Sequence, residues 1–297
     1  MLRVEPDFYK DFSCIADRCR HSCCLGWEID IDEESLKRFM AVEGEFGEYI
    51  RRNIELKPTP HFVLSKDERC PFLQENGLCR MILTLGEDSI CDICREHPRF
   101  YNELPGRIEA GLGLCCEEVC RLLNEGSEHL IFNISGEDEG AEDALLGLRD
   151  EIYSILREES ISLTERTEKA LKLFGVSPLG FDADELKGLY LGLERLDEAW
   201  TAKLKALRPV ALEPGLSQMR YVRLMEYFIY RHFATALDEY EAMLRLQFAF
   251  LSVSMICALD MLTDDTEATR LYSSEIEYSD ENVDNILDYI DENIPVE

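Results

Sequence analysis

Beyond residue 144 the apolar residues fall at three- and four-residue steps. Leu145, Leu148, Ile152, Ile155 and Leu156 share one helical face. Ser162-Leu163-Thr164-Glu165 has the form of a capping box ahead of Ala170, Leu171 and Phe174. Asp184 to Leu207 predicts one further helix, with Leu186, Leu189, Leu193, Leu196 and Trp200 on its apolar side. Pro209 and Pro214 interrupt the pattern. Met219–Leu237 and Glu239–Leu262 then predict two longer helices rich in aromatics, among them Tyr221, Tyr227, Phe228, Tyr230, Phe233, Phe248 and Phe250. An aromatic stripe at this spacing is read as core. Ser279-Asp280-Glu281-Asn282 starts a last short helix.

The first part of the chain is patterned differently. Residues 26–57 read as mostly helical, with Asp32-Glu33-Glu34-Ser35 as a start signal before Leu36, Phe39, Met40 and Val42. Pro58 and Pro60 end that stretch, and His61–Leu64 alternates weakly as a short strand would. Glu75-Asn76-Gly77 predicts the turn of a short hairpin. Residues 104–114 carry Pro105, Gly106, Gly111 and Gly113 and read as loop before a short helix holding Cys120. The acidic, Gly-bounded run Ser135–Gly140 reads as a linker. The fold class is therefore mainly α. A cysteine-rich domain of residues 1–134, with short strands or a hairpin, packs on an α-helical domain of residues 141–297.

Composition narrows the function. The 297 residues are 46% hydrophobic and 31% charged, as in a folded globular chain. With 31 Lys plus Arg against 61 Asp plus Glu, the net charge is −30. A field of that sign repels phosphate backbones and anionic lipid, so nucleic-acid and membrane partners are disfavoured. The most apolar helix candidate, Leu244–Leu262, is broken by Arg245, Gln247 and Asp260, which predicts a core helix. The opening MLRVEPDFYKDF lacks the apolar stretch of a signal peptide, so the expected location is cytoplasmic.

Eleven of the twelve cysteines lie in the first 120 residues. In a reducing compartment such clustering points to metal more than to disulfides. Cys91-Asp92-Ile93-Cys94 lets two thiolates reach one ion from a tight turn. Cys14, Cys19, Cys23 and Cys24 add four thiols within eleven residues. All-thiolate ligation suits zinc and iron–sulfur clusters alike. The vicinal pairs Cys23-Cys24 and Cys115-Cys116 add a constraint, because neighbouring side chains converge on one tetrahedral ion only with strain. One member of each pair is expected to be a ligand, and the other to be packed or to serve a second site. His97, three residues after Cys94, is a ligand, a proton carrier or a packed side chain.

No Walker loop, no G-x-G-x-x-G after a strand, no HExxH and no G-x-S-x-G occurs. The chain does resemble a known family. The matching strings are Tyr9-Lys-Asp-Phe-Ser-Cys14, Cys19 with Ser22-Cys-Cys-Leu-Gly-Trp-Glu-Ile-Asp30, Cys70-Pro-Phe-Leu73 and Gly77-Leu-Cys79. They continue with Cys91-Asp-Ile-Cys94-Arg-Glu-His-Pro-Arg99, Gly111-Leu-Gly-Leu-Cys-Cys116, Tyr230-Arg-His-Phe233, and Tyr272-Ser-Ser-Glu-Ile-Glu-Tyr-Ser279 with Glu281-Asn282. Together they resemble the flagellin lysine-N-methylase family, a relative of the CxxCxxCC zinc- or iron-chelating proteins. The resemblance implies methyl transfer from S-adenosylmethionine to flagellin lysines, and a cysteine-bound metal centre, a 4Fe-4S cluster or zinc. It carries Cys14, Cys19, Cys23, Cys24, Cys70, Cys79, Cys91, Cys94 and Cys116 as metal ligands and leaves out Cys115, Cys120 and Cys257. Glu117 stands where the family often has Pro, which puts the local turn in question. Two rival functions fit the same thiols, a non-catalytic metal-chelating protein and a zinc-stapled interaction module.

Overall fold

The computed structural model describes residues 1–126, 129–137, 144–179, 183–207 and 219–294. The fold is mainly helical. The expected breaks at Pro209 and Pro214, and residues 138–140 of the expected linker, lie outside the described residues. The chain forms two compact units that interleave along the sequence. One comprises Met1–Phe12, Tyr101–Cys115 and Val119–Glu297; the other comprises Ser13–Phe100 and Cys116–Glu118.

The larger unit holds a four-stranded sheet. Its strands belong to the set β1 (Leu2–Pro6), β2 (Ile54–Glu55), β3 (His61–Phe62), β4 (Arg99–Leu104), β5 (Arg107–Leu112) and β6 (Phe132–Gly136). The sheet order is β4-β5-β1-β6. β1 runs parallel to β5, with Leu2 opposite Arg107, and antiparallel to β6, with Val4 opposite Ile134. The expectation of a loop over 104–114 fails here. Pro105 and Gly106 form only the turn between two strands, with Gly106 at φ +71°. Gly111 is buried inside β5, so a glycine read as a breaker belongs to a sheet interior. That role depends on pairing with β1, more than a hundred residues earlier in the chain.

The core of this unit is helix Glu239–Asp260. It is long and apolar enough to cross a membrane by length and composition, yet 72% of its apolar window is buried inside the protein. Its neighbours are Met219–His232, Asp265–Tyr272 and Asp280–Asn293. The Tyr230 hydroxyl shares its one proton between the carbonyls of Val4 (2.9 Å) and Ala110 (3.1 Å), tying its helix to both β1 and β5. Glu109 on β5, fully buried, takes a two-pronged bond from Arg149 of helix Ala144–Leu156, both contacts 2.7 Å, and a third from Arg107 at 2.6 Å. Such a charge is tolerated in a core only because it is paired.

The capping box at Ser162 and Glu165 forms in full, and Ser279 caps Asp280–Asn293, a helix of 14 residues rather than a short one. The single helix expected over 184–207 is two, Ala183–Gly192 and Glu198–Ala206. The break is held from elsewhere. The buried carboxylate of Glu275 accepts from the backbone N–H of Leu196 (2.9 Å) and Asp197 (2.7 Å), and the Asn282 amide oxygen accepts from Glu194 N–H (3.0 Å). Asp197 then recaps the chain through Ala199 N–H.

The smaller unit is built on two short helices, Glu33–Ala41 and Gly44–Arg52, where one mostly helical stretch was expected. Gly44 has φ +76°, and a Cβ at Gly47 would meet the Val42 carbonyl at 1.9 Å, so the sharp join needs both glycines. The ribbon β2–β3 follows, with Ile54 opposite Phe62. Ile29, Ile31, Phe39, Ile50, Phe62, Phe72 and Met81 form the core together with Cys70 and Cys91. Phe62 and Phe72 meet edge to face, their ring centres 4.9 Å apart.

Candidate metal centre

All nine cysteines carried by the resemblance fall in the smaller unit, whereas Cys115, Cys120 and Cys257 fall in the larger one. No cysteine is in a disulfide. Local structure presents the nine in two sets.

The first set lines the apolar core. Cys70 and Cys91 are part of it, and Cys24, Cys79 and Cys94 pack against it. The hairpin expected at Glu75-Asn76-Gly77 carries two of these thiols. Leu73 bridges Cys79, Gly77 takes φ +80°, and Gly77 N–H donates to the Gln74 carbonyl at 3.0 Å. Arg69 reinforces the hairpin by donating to the carbonyls of Leu73 and Gln74. Cys91 precedes helix Asp92–Glu96, which carries Cys94. Asp32 positions that helix and its own: one carboxylate oxygen accepts from Ser35 N–H (2.8 Å), the other from Asp92 N–H (3.0 Å). Desolvation pushes the Asp32 carboxyl up, but the hydrogen bonds from Ser35 outweigh it and hold the pKa below the usual value.

The second set, Cys14, Cys19, Cys23 and Cys116, sits on outer loops, with Cys14 and Cys23 exposed. Cys19 lies close enough to Cys116 and Cys14 for their charges to interact, and Cys23 to Cys14 and Cys116. Glu117 organises this loop. Its buried carboxylate accepts from the backbone N–H of Arg20 (3.1 Å to either oxygen) and of His21 (3.2 Å). The residue that replaces the family's usual Pro thus supplies an anchor of its own.

The vicinal cysteines divide between the sets. Cys23 faces Cys14 and Cys116, while Cys24 acts on Cys70, Cys79 and Cys94. Cys115 is engaged with Tyr278 and Tyr227 in the larger unit instead. Cys120 donates to the Leu114 carbonyl, and Cys257 bonds Tyr221. Each of these three thiols thus has an interaction partner within the larger unit.

Burial leaves most of these thiols reluctant to ionise. Desolvation pushes Cys70 up to about 12 and Cys19 up to about 11, and raises Cys79. A hydrogen bond shared between neighbours splits the other pairs. It lowers Cys24 to about 7 and raises Cys23, and it lowers Cys91 while raising Cys94. Uncompensated thiolates in a dense cluster repel one another, and a thiophilic cation is what would relieve that repulsion.

Among the described residues, no group of three or more His, Cys, Asp or Glu side chains is placed to hold one ion. The donor chemistry nevertheless fits zinc or an iron–sulfur cluster, since both take thiolate sulfur. The Cys91 and Cys94 sulfurs lie 3.5 Å apart. Two sulfurs at zinc–sulfur bonding distance on one tetrahedral ion lie about 3.8 Å apart, whereas a disulfide needs about 2.05 Å. The pair therefore stands near the spacing a shared ion requires.

His97 is packed rather than offered. It meets Trp27 edge to face at 5.9 Å, and burial lowers its pKa to about 4, so the ring is neutral at pH 7. The larger unit holds a second polar cluster that periodicity did not reveal. The strings Tyr230-Arg-His-Phe233 and Tyr272–Ser279 meet there. Glu277 accepts from His232 Nε2 at 2.9 Å and lies 3.4 Å from Arg231 Nε, while Arg231 stacks on the Tyr278 ring at 4.8 Å. Glu277 ends a π-helical turn, Ser273–Glu277. No local signal in either string says that they touch.

Comparison with known proteins adds the decisive observation. The flagellar biosynthetic protein FliU of Salmonella muenchen is 33% identical over 130 residues, which cover 41% of this chain and 77% of that protein. The chain belongs to the flagellin lysine-N-methylase family. Two further family members, the lysine-N-methylases of Salmonella choleraesuis (strain SC-B67) and Salmonella typhimurium (strain LT2), are each 30% identical over 137 residues, 41% of this chain. The matched stretch spans 32% of the length of each of those methylases. No family model and no solved structure matches the chain.

Proposed function

We propose that this chain is a protein-lysine N-methyltransferase that moves a methyl group from S-adenosylmethionine to lysine side chains of flagellin and depends on a cysteine-bound metal centre. The observation that carries the reading is the gathering of all nine family cysteines into one unit of a chain whose relatives include named lysine-N-methylases.

The chemistry sets the demands. A lysine nitrogen attacks the sulfonium methyl, the carbon–sulfur bond breaks to leave a thioether, and the methylated ammonium sheds a proton. The nitrogen must be neutral to attack, and at an ordinary pKa of about 10.4 roughly one lysine in a few thousand is neutral at pH 7. A site must therefore desolvate the amine or accept its proton. The bulk negative charge of −30 attracts lysine-bearing segments but raises the ammonium pKa, so it aids capture rather than deprotonation. The residues that would hold the metal are Cys24, Cys70, Cys79, Cys91 and Cys94 in the core-lining set and Cys14, Cys19, Cys23 and Cys116 in the loop set. When bound, the metal centre would supply a Lewis-acidic anchor for oxygen- or nitrogen-bearing groups of the methyl donor.

The test is an assay of anaerobically prepared protein with methyl-labelled S-adenosylmethionine and purified flagellin. The reading predicts label on flagellin lysines, lost when flagellin is omitted. Absence of transfer from fully metal-loaded protein would overturn it. The result would then favour a metal-binding protein without catalysis.

A further inference from the structure

A groove of about 520 Å³ opens in the smaller unit beside the Cys70–Cys79 hairpin. Tyr49, Phe72, Gln74, Glu75, Asn76 and Arg80 line it. Arg80 is exposed and lies over two aromatic rings, with its guanidinium carbon 4.9 Å from the Phe46 centroid and 4.8 Å from that of Tyr49. Those rings are parallel within 11°, and they are fixed in turn. Phe46 meets the buried Phe72 edge to face, and the Tyr49 hydroxyl donates to the Pro71 carbonyl at 2.9 Å.

Stacking covers one face of the guanidinium and leaves its N–H edges free to act. Among the described residues Arg80 has no carboxylate within ion-pairing distance, although Glu75 lines the same groove and the chain carries 61 acids. Neither Gln74 nor Asn76 donates its side-chain NH₂ to another described residue. The Asn76 amide oxygen is held by Leu78 N–H at 3.1 Å. The walls do not need to form on binding. Arg69 locks the hairpin, and Arg80 N–H donates to the Phe72 carbonyl at 2.8 Å. An oriented fork of donors above an apolar floor, flanked by free amide donors, is the arrangement that reads a planar carboxylate.

We propose that this groove is a carboxylate-recognition site in which Arg80 receives the carboxylate and Tyr49, backed by the core residue Phe72, seats the carbon skeleton behind it. The site stands apart from methyl transfer and does not depend on it. The carboxylate can come from a free acid of amino-acid size or from an acidic side chain of a peptide.

The test follows the Arg80 side-chain Nε–Hε resonance in the full-length, metal-loaded protein, assigned by its loss in Arg80→Lys. The titrants are free glutamate, an end-blocked tetrapeptide with one glutamate, its glutamine twin, and inorganic phosphate. A saturable shift with a carboxylate titrant is expected, with the glutamine twin weaker by roughly tenfold to a hundredfold. Arg80→Lys keeps the charge but loses the planar fork; binding to it, read by calorimetry, should weaken similarly. Arg52→Gln, at an arginine already paired with Glu48, should bind as the parent does. Binding of both glutamate and the peptide supports a small acid as ligand, and binding of the peptide alone supports an acidic segment. No saturable shift, equal binding of the glutamine twin, or tighter binding of phosphate than of either carboxylate would overturn the proposal.

Discussion

The two units solve the problem of cohesion differently. In the larger one, apolar and aromatic side chains close around helix Glu239–Asp260, and the buried acids Glu109, Glu226 and Glu277 each have an arginine partner. In the smaller one, two of the nine core residues are cysteines and three more thiols pack against them; burial raises Cys70 and Cys79, while shared hydrogen bonds lower Cys24 and Cys91 and raise Cys94. On the proposed reading, a bound metal would stabilise this unit beyond what its buried area supplies. The contrast teaches that one chain can close one core on apolar and aromatic packing and line another with thiols.

Removing the metal should break the comparison most sharply. Chelation under reducing conditions is expected to abolish amide-exchange protection across residues 29–81, because structural metal contributes on the order of 10 kcal/mol in small domains. Protection in Met219–His232 and Glu239–Asp260 should survive. Next in size is Glu109→Ala, which strands the buried Arg149 charge. A loss of about 3–5 kcal/mol is expected for the larger unit, read from its denaturation midpoint, with the smaller unit unmoved.

Acid should also act on the larger unit. Burial lowers the His232 pKa, so the ring protonates more readily when unfolded, and stability falls as pH drops below its ordinary value of about 6.5. Glu277 is buried too, which raises its pKa, but the Arg231 charge overcomes this and holds it below the usual value. Its contribution is present above the unfolded carboxylate pKa and is lost as pH falls through the folded one. A pH series of thermal midpoints should decline in two steps, and His232→Phe should remove the upper one.

Two smaller effects sharpen the account of local anchoring. Glu117→Ala removes the acceptor for Arg20 and His21 N–H and should cost about 1–3 kcal/mol locally. Faster exchange at those two amides, with metal loss confined to the loop set, is the expected readout. Ser162→Ala should cost about 1 kcal/mol, seen as fraying of helix Leu163–Leu171.

Much of this was legible in the chain because it is local. The capping box at Ser162, the Asp32 start signal and the Gly77 turn each depend on residues within four positions of one another. The thiol cluster was legible by composition alone. The rest depends on partners far away in sequence. Glu275 breaks the helix expected over 184–207 from about eighty residues downstream, and β5 exists because β1 lies beside it. Glu117 reaches back almost a hundred residues to the Cys19 loop. Strain predicts that Cys23 and Cys24 serve different sites, but which thiols each one approaches depends on the fold.

The central claim is that the nine thiols of the smaller unit hold metal. The most direct test is the iron, sulfide and zinc content of anaerobically purified protein, measured beside Cys70→Ser and Cys257→Ser. The account predicts stoichiometric metal in the parent and in Cys257→Ser, and reduced content in Cys70→Ser. A parent protein free of stoichiometric metal, or equal content in all three, would contradict it.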